Sequence, residues 1–259
     1  MTTQQMITAY GPADGRPVLV LHGGGGPATV DPIAEHLAAT ARVLLPTHPG
    51  WNGTPRPDDS TRVADLAAAY LRLLRERDLV DVLVVGSSLG GWIAAELATA
   101  DDEGRISGIA LIDAVGIEVD GAPVRDFFAL DARGVAAYAY HDAERFYVDP
   151  ATVPAERRAV FQANMESLRR YSGGPAMSDP ALRPRLAAVT VPTLVLWGES
   201  DRIVTPAYGE EYAASFADAR FEVVAEAGHL PHLEQPERTF ALLDDFAART
   251  TRDSAQPVP

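Results

Sequence analysis

The chain has no cysteine, and its 22 basic residues include no lysine: every one is arginine. Each absence removes chemistry. Without cysteine there is no thiol nucleophile, no disulfide framework and no cysteine-ligated metal site. Without lysine there is no Schiff base, no covalently held pyridoxal phosphate and no Walker-type phosphate lysine. A nucleophile has to be Ser, Thr, Asp, Glu, His or Tyr. Net positive charge is absent too. A balance of −14 argues against nucleic acid and anionic membrane surfaces as partners, because both need a basic face. No apolar run approaches the roughly 20 residues that span a bilayer. The first residues, Met1-Thr2-Thr3-Gln4-Gln5-Met6, show neither the basic nor the apolar region of a signal peptide. The expectation is a cytoplasmic protein acting on a small-molecule substrate; oligomeric state has no signal in the sequence.

What is present is a chain of 259 residues, 47% hydrophobic and 22% charged, which suits one large globular domain or a core with an insertion. Val18-Leu19-Val20-Leu21 is a continuous apolar run that ends in four glycines, as a strand buried on both faces reads. Similar runs stand at 42–45, 81–85, 106–112, 192–198 and 220–225. Between them, helical periodicity marks 32–39, 61–77, 89–100, 206–216 and 234–249. This alternation predicts an α/β fold with a mostly parallel, doubly wound sheet. The strand-like runs vanish between 116 and 189, where arginine, alanine and aromatics recur at helical spacing. The reading is therefore a core in two parts, 1–115 and 190–250, around a helical insertion at 116–189, with a polar tail at 251–259.

The strongest motif is Gly86-Ser87-Ser88-Leu89-Gly90, a G-x-S-x-G between the apolar run before it and a helix carrying Trp92, Ile93 and Leu97. A sharp strand-to-helix turn forces Ser88 into strained backbone angles and exposes its hydroxyl at the sheet edge, where ligands bind in open α/β folds. The glycines remove Cβ atoms that would clash across the turn. The competing reading is a plain turn whose serine caps the helix.

A serine nucleophile needs a base and an acid, in the order Ser, acid, His. Of the six histidines, only His229 and His232 follow a late strand. His229, in Ala227-Gly228-His229, is the candidate base, and His232 reads as a helix-entry residue. Asp201, just past Thr193–Trp197, is the candidate acid that fixes the imidazole tautomer. Glu199 is a weaker candidate, and Asp113 is the main alternative. For the oxyanion, the backbone N–H of Leu89 stands at a helix N-terminus. Gly24 in His22-Gly23-Gly24-Gly25-Gly26 is the first choice for a second donor, and Gly25 the next. A phosphate cradle at these glycines would want a lysine that the chain lacks. His22 and His48 read as loop architecture, His36 and His141 as surface or pocket-lining. No spacing resembles a metal site, so neither metal nor cofactor is expected.

These strings, with His48-Pro49-Gly50-Trp51, Val191-Pro192-Thr193-Leu194-Val195-Leu196-Trp197-Gly198 and Gly228-His229-Leu230-Pro231-His232-Leu233-Glu234, resemble the α/β-hydrolase fold family of serine hydrolases. The resemblance implies Ser88, Asp201 and His229 as the triad and 116–189 as a helical cap. Serine at 88 departs from members with an aspartate nucleophile, and the missing lysine from the hydroxynitrile lyases of this fold. The Gly-rich loop is similar to that of the C–C hydrolases of meta-cleavage products. Those commonly carry asparagine where Ser87 stands. The leading expectation is a cofactor-free serine hydrolase of an ester, lactone or thioester with an apolar or aromatic acyl group. The alternatives are a C–C hydrolase that holds a substrate carboxylate on an arginine of the insertion, and a non-catalytic ligand-binding protein on the same scaffold. Perhydrolase or haloperoxidase activity would share the triad.

Overall fold

The computed structural model describes residues 6–251, so most of the polar tail and of the N-terminal segment read above lie outside the described residues. The described residues form a seven-stranded sheet in the order β1-β3-β2-β4-β5-β6-β7. The strands are β1 (Ile7–Tyr10), β2 (Arg16–Leu21), β3 (Ala41–Pro46), β4 (Val82–Ser87), β5 (Ile106–Ile112), β6 (Thr193–Gly198) and β7 (Ala219–Val224). All neighbours pair in parallel except β1, which runs antiparallel to β3 at the edge. The α/β, mostly parallel, doubly wound reading is what the chain adopts.

Successive side chains on a strand point to opposite faces, so each apolar run feeds two cores. Leu19, Leu21, Val82, Val84, Val195 and Trp197 face one cluster, with Tyr70 of α2 (Val63–Glu76), Ile93 of α3 (Leu89–Ala100) and Tyr208 of α8 (Pro206–Ala214). Val18, Val20, Leu83, Val85, Leu194 and Leu196 face the other, with Ile33 of α1 (Asp31–Leu37) and Phe246 of α10 (Pro236–Arg249). Two-sided burial is why the strands read as unbroken apolar runs rather than alternating ones.

Two elements differ from the sequence reading. β1 carries Ile7, Thr8, Ala9 and Tyr10, none of them buried; an edge strand this short has too little pattern to stand out. The helix expected over 234–249 begins two residues later, as α10 (Pro236–Arg249), and a separate short helix, α9 (Pro231–Glu234), precedes it across Gln235. Pro236 supplies the reason, since the residue before proline is pushed out of the helical region; Gln235 has φ −130° and ψ 62°.

Between β5 and β6 the chain forms α4 (Ala132–Ala139), α5 (Ala143–Phe146), α6 (Ala155–Tyr171) and α7 (Arg183–Leu186). Its strand-like content is a single bridge, Gly116 to Ser178. Among the described residues no helix is long and apolar enough to cross a membrane.

Candidate active site

Ser88 stands alone between β4 and α3, with φ 56° and ψ −117°. Its N–H donates to the Ile112 carbonyl at 2.9 Å, and its own carbonyl accepts from the N–H groups of Gly91 and Trp92. The surrounding sheet therefore over-determines a backbone conformation that a side chain disfavours. The turn is tight enough that a Cβ on Gly86 would collide with the Gly90 carbonyl, and one on Gly90 with the Leu21 carbonyl. The Ser88 side chain makes no capping hydrogen bond to α3, which removes the plain-cap reading. Ser88 is half-buried, and its Oγ would lie 3.6 Å from a Cβ on Gly23. The Gly-rich loop after β2 thus lies against the hydroxyl.

Asp201 and His229 come from the loops after β6 and β7. Close backbone approach joins those loops: a Cβ on Gly198 would collide with the Gly228 carbonyl. His229 Nδ1 meets Asp201 Oδ2 at 2.7 Å. Asp201 Oδ1 accepts from the N–H groups of Ile203 at 2.8 Å and Val204 at 3.1 Å. Asp201 is 1% exposed, so its charge depends on donors of the protein rather than on bulk water, the condition for burying a carboxylate. With Nδ1–H given to Asp201, the lone pair of His229 sits on Nε2, as a general base requires.

The Gly-rich loop is held from behind by side-chain donors. His48 Nε2 donates to the His22 carbonyl at 2.9 Å, His22 Nδ1 to the Gly23 carbonyl at 2.7 Å, and Trp51 Nε1 to the Gly24 carbonyl at 2.8 Å. In a trans peptide the N–H points opposite to the carbonyl, so the anchor on the Gly23 carbonyl turns the Gly24 N–H away from His22. Both imidazoles are fixed as neutral tautomers: His22 Nε2 accepts the His48 N–H at 3.0 Å, and His48 Nδ1 faces the Tyr70 hydroxyl at 2.5 Å. His22 and His48, read from the sequence as loop architecture, are the scaffold of this loop, stacked at 3.6 Å. Gly25 packs instead toward Thr29.

Burial lowers His48 to about 4 and holds His22 well below its ordinary range. His232, whose Nε2 donates to the Thr29 carbonyl at 2.8 Å, is likewise lowered by burial to about 4. Between the ordinary 6.5 and those values, the unfolded chain binds protons that the folded chain refuses. Stability present above pH 6.5 is therefore lost as pH falls toward 4, by about 3 kcal/mol each for His48 and His232, with His22 acting in the same direction. Asp113, whose carboxyl burial holds above the usual carboxylate range, has the opposite sign, one group against three. Urea unfolding at pH 7.0 and 4.5 checks this: a much lower midpoint is expected at pH 4.5, and an unchanged one would rule out the neutral imidazole network.

The helical segment between β5 and β6 touches the site at two places. On one side, Leu168 and Met165 of α6 stand against Gly24. Asn164 Oδ1 accepts the Asn52 N–H at 2.8 Å, and Ser167 Oγ donates to the Gly50 carbonyl at 2.7 Å. On the other side, the end of α4 binds the loops that carry Asp201 and His229: the His229 N–H donates to the Ala139 carbonyl at 2.6 Å and the Arg202 N–H to the Tyr138 carbonyl at 3.0 Å. Glu234, 9% exposed, ties these together. Its carboxylate accepts the N–H groups of His141, Asp142 and Gly228. This role of Glu234 has no mark in the sequence, because a glutamate in a short helix carries no signal of what its oxygens face.

The remaining candidates are elsewhere. Glu199 is exposed and accepts the Glu226 N–H. His36 lies on the surface against Asp244, and exposed His141 faces Ser200. Asp113 follows β5, is fully buried with φ 46°, and accepts the Gly198 N–H on Oδ1 at 2.9 Å. Burial first, and the neighbouring Asp201 charge second, hold its carboxyl well above the usual carboxylate range. One oxygen each from Asp113 and Asp201 and one ring nitrogen of His229 lie within 4.8 Å of one another. These atoms are close enough to gather around a cation, but His229 Nδ1 is already committed to Asp201 by a contact of hydrogen-bond length.

A serine in a strained strand-to-helix turn, with a buried Asp–His pair on the next loops of a parallel sheet, defines the α/β-hydrolase class. Residues 18–242 match the model of the alpha/beta hydrolase family. The pimeloyl-[acyl-carrier protein] methyl ester esterase of Aromatoleum aromaticum is 31% identical over 251 residues, covering 89% of this chain and 98% of that protein. Among solved structures, a thermophilic esterase from Thermogutta terrifontis superposes with a TM-score of 0.76 at 24% identity, covering 96% of this chain and 94% of that one. A meta-cleavage product hydrolase from Pseudomonas fluorescens IP01 gives 0.77 at 19% identity, covering 95% and 94%; at these identities the likeness is one of fold. The chain belongs to the alpha/beta hydrolase family, and it is a hydrolase.

Proposed function

We propose that the protein is a cofactor-free serine hydrolase of small uncharged carboxylic esters, lactones or thioesters, working through an acyl-enzyme on Ser88. The reading is carried by the buried 2.7 Å Asp201–His229 pair, which leaves Nε2 free to take a proton, on the sheet edge that also holds the strained Ser88. His229 deprotonates Ser88 Oγ as it attacks the carbonyl carbon. The oxyanion is received by the N–H groups of Leu89 and Gly24. His229 then passes its proton to the leaving oxygen or sulfur, and a water activated by the same imidazole releases the acid. Residues 116–189 serve as the cap, and Leu168 and Met165 beside Gly24 support an apolar acyl group.

An uncharged substrate is supported by the arginines of the segment. Arg125, Arg133, Arg145, Arg157, Arg158, Arg169 and Arg170 are all exposed. Four of these guanidinium groups lie over aromatic rings, those of Tyr138, Tyr147, Phe146 and Phe128. A dienoate carboxylate would want one of them turned into the site as a bidentate partner. The similarity to a methyl ester esterase supports an ester as the bond that is cleaved.

The test is a panel of p-nitrophenyl esters, a thioester, a lactone and a dienoate, with fluorophosphonate labelling followed by peptide mapping. Ester, lactone or thioester turnover and a label on Ser88 are expected. Bleaching of the dienoate without ester turnover would favour C–C cleavage, and absence of any label would favour a binding protein.

A further inference from the structure

Two buried carboxyl groups stand side by side here, and the established chemistry of a triad uses only one. Asp113 and Asp201 follow the neighbouring strands β5 and β6, are 0% and 1% exposed, and approach each other and His229 within 4.8 Å. Two carboxylates this close and this dry cannot both carry charge. Counting donors decides which one does. Asp201 receives the N–H groups of Ile203 and Val204 and the Nδ1–H of His229. Asp113 receives only the Gly198 N–H, on Oδ1, and its Oδ2 is buried with no partner. An orphaned buried carboxylate oxygen is expensive, whereas a protonated one becomes a donor.

We propose that Asp113 is a positioning residue for the acid–base pair, its neutral carboxyl donating a hydrogen bond from Oδ2 to Asp201. This rests on the reading of Asp201 and His229 given above. The pair of acids then holds a single negative charge opposite a single imidazolium. Sharing that charge with a fourth donor keeps Asp201 from drawing the Nδ1 proton of His229 to itself. The carboxyl also fixes the Asp201 rotamer from the side that its backbone donors do not reach. The remaining ionisable neighbour, Glu234 on α9, is spent on the N–H groups of His141, Asp142 and Gly228 and is no competitor for the proton. The positive φ of Asp113, 46°, is sustained by the sheet, through its N–H to the Leu196 carbonyl at 3.0 Å.

Asp113→Asn keeps both functions, an acceptor for Gly198 and an N–H donor for Asp201; Asp113→Leu keeps neither. Asn is expected to retain kcat within about threefold, with the wild-type pH profile. Leu is expected to lose roughly tenfold or more in kcat at unchanged KM, with the acid limb of kcat/KM moved to higher pH, because Asp201 then presses its whole charge on the imidazolium. Folding of the wild type takes up a proton at Asp113. The stability contributed below the unfolded value is therefore lost as pH rises, and Asn has no such loss. The ratio of the Asn to the wild-type folding constant should grow about tenfold per pH unit until folded Asp113 ionises. Infrared difference spectra at pH 7.5, wild type minus Asp113→Asn, should show the carbonyl stretch of one neutral carboxylic acid. This band reports the proton without reference to activity, and it decides the matter even if the Leu variant fails to fold. Absence of the band, or an Asn variant as impaired as Leu, would overturn the proposal. Full activity in Ser88→Ala would instead overturn the triad reading and leave the band untouched.

Discussion

Ser88→Ala is expected to lower kcat on any turned-over ester by about 10⁵-fold, with KM little changed and the fold intact. The magnitude follows from the role. In the proposed mechanism Ser88 bonds to the acyl carbon, and no cysteine or lysine exists in the chain to replace it. The residual rate measures what the oxyanion donors and substrate binding contribute alone. Ser88→Gly should be equally inactive but more stable than Ser88→Ala. Alanine keeps the Cβ that makes φ 56° and ψ −117° unfavourable; glycine removes it. Relief of that strain, less the extra entropy glycine loses on folding, leaves about 1 kcal/mol. Steady-state kinetics and urea unfolding of the two variants measure both effects. Activity within tenfold of wild type in Ser88→Ala would end the nucleophile assignment, and equal midpoints for Ala and Gly would show the turn to be unstrained.

Asp201→Asn is expected to lower kcat by roughly 10³–10⁴-fold while leaving the protein folded. The direction of the amide is dictated by its surroundings. Position Oδ1 accepts two backbone N–H groups, from Ile203 and Val204, so the amide nitrogen cannot sit there. It must face His229 Nδ1, which then has to accept rather than donate. The imidazole proton moves to Nε2, and the base loses the lone pair that takes the Ser88 proton. Stopped-flow acylation with a p-nitrophenyl ester should show the loss in the first chemical step. A variant within tenfold of wild type would remove Asp201 from the role and transfer attention to Asp113.

The site divides into parts that the sequence displays and parts that it hides. The strained turn is legible because Gly86 and Gly90 must lack Cβ atoms on either side of Ser88, and glycine at a fixed spacing is visible in one dimension. Asp201 and His229 are legible because each follows a buried strand, and the ends of parallel strands share one edge. The supporting groups leave no such mark. Glu234 is one acidic residue among 36, and only folding brings its carboxylate to the N–H groups of His141, Asp142 and Gly228. His22 and His48 are separated by 25 intervening positions, yet each accepts from or donates to the other's backbone.

By itself, then, the sequence determined the α/β class, the two-sided burial of the strands, the helical character of the segment from 116 to 189, and a set of reactive residues without thiol or amine. These follow from periodicity, composition and local turn chemistry, which are properties of neighbours along the chain. Only the folded chain shows that β1 closes the edge of the sheet, that Gln235 parts two helices, and that Asp113 stands buried beside the Asp201–His229 pair. It also leaves the seven arginines between 125 and 170 exposed. Those outcomes depend on which polar atoms share a buried space and how many donors reach each of them, and such counts exist only once distant parts of the chain have met.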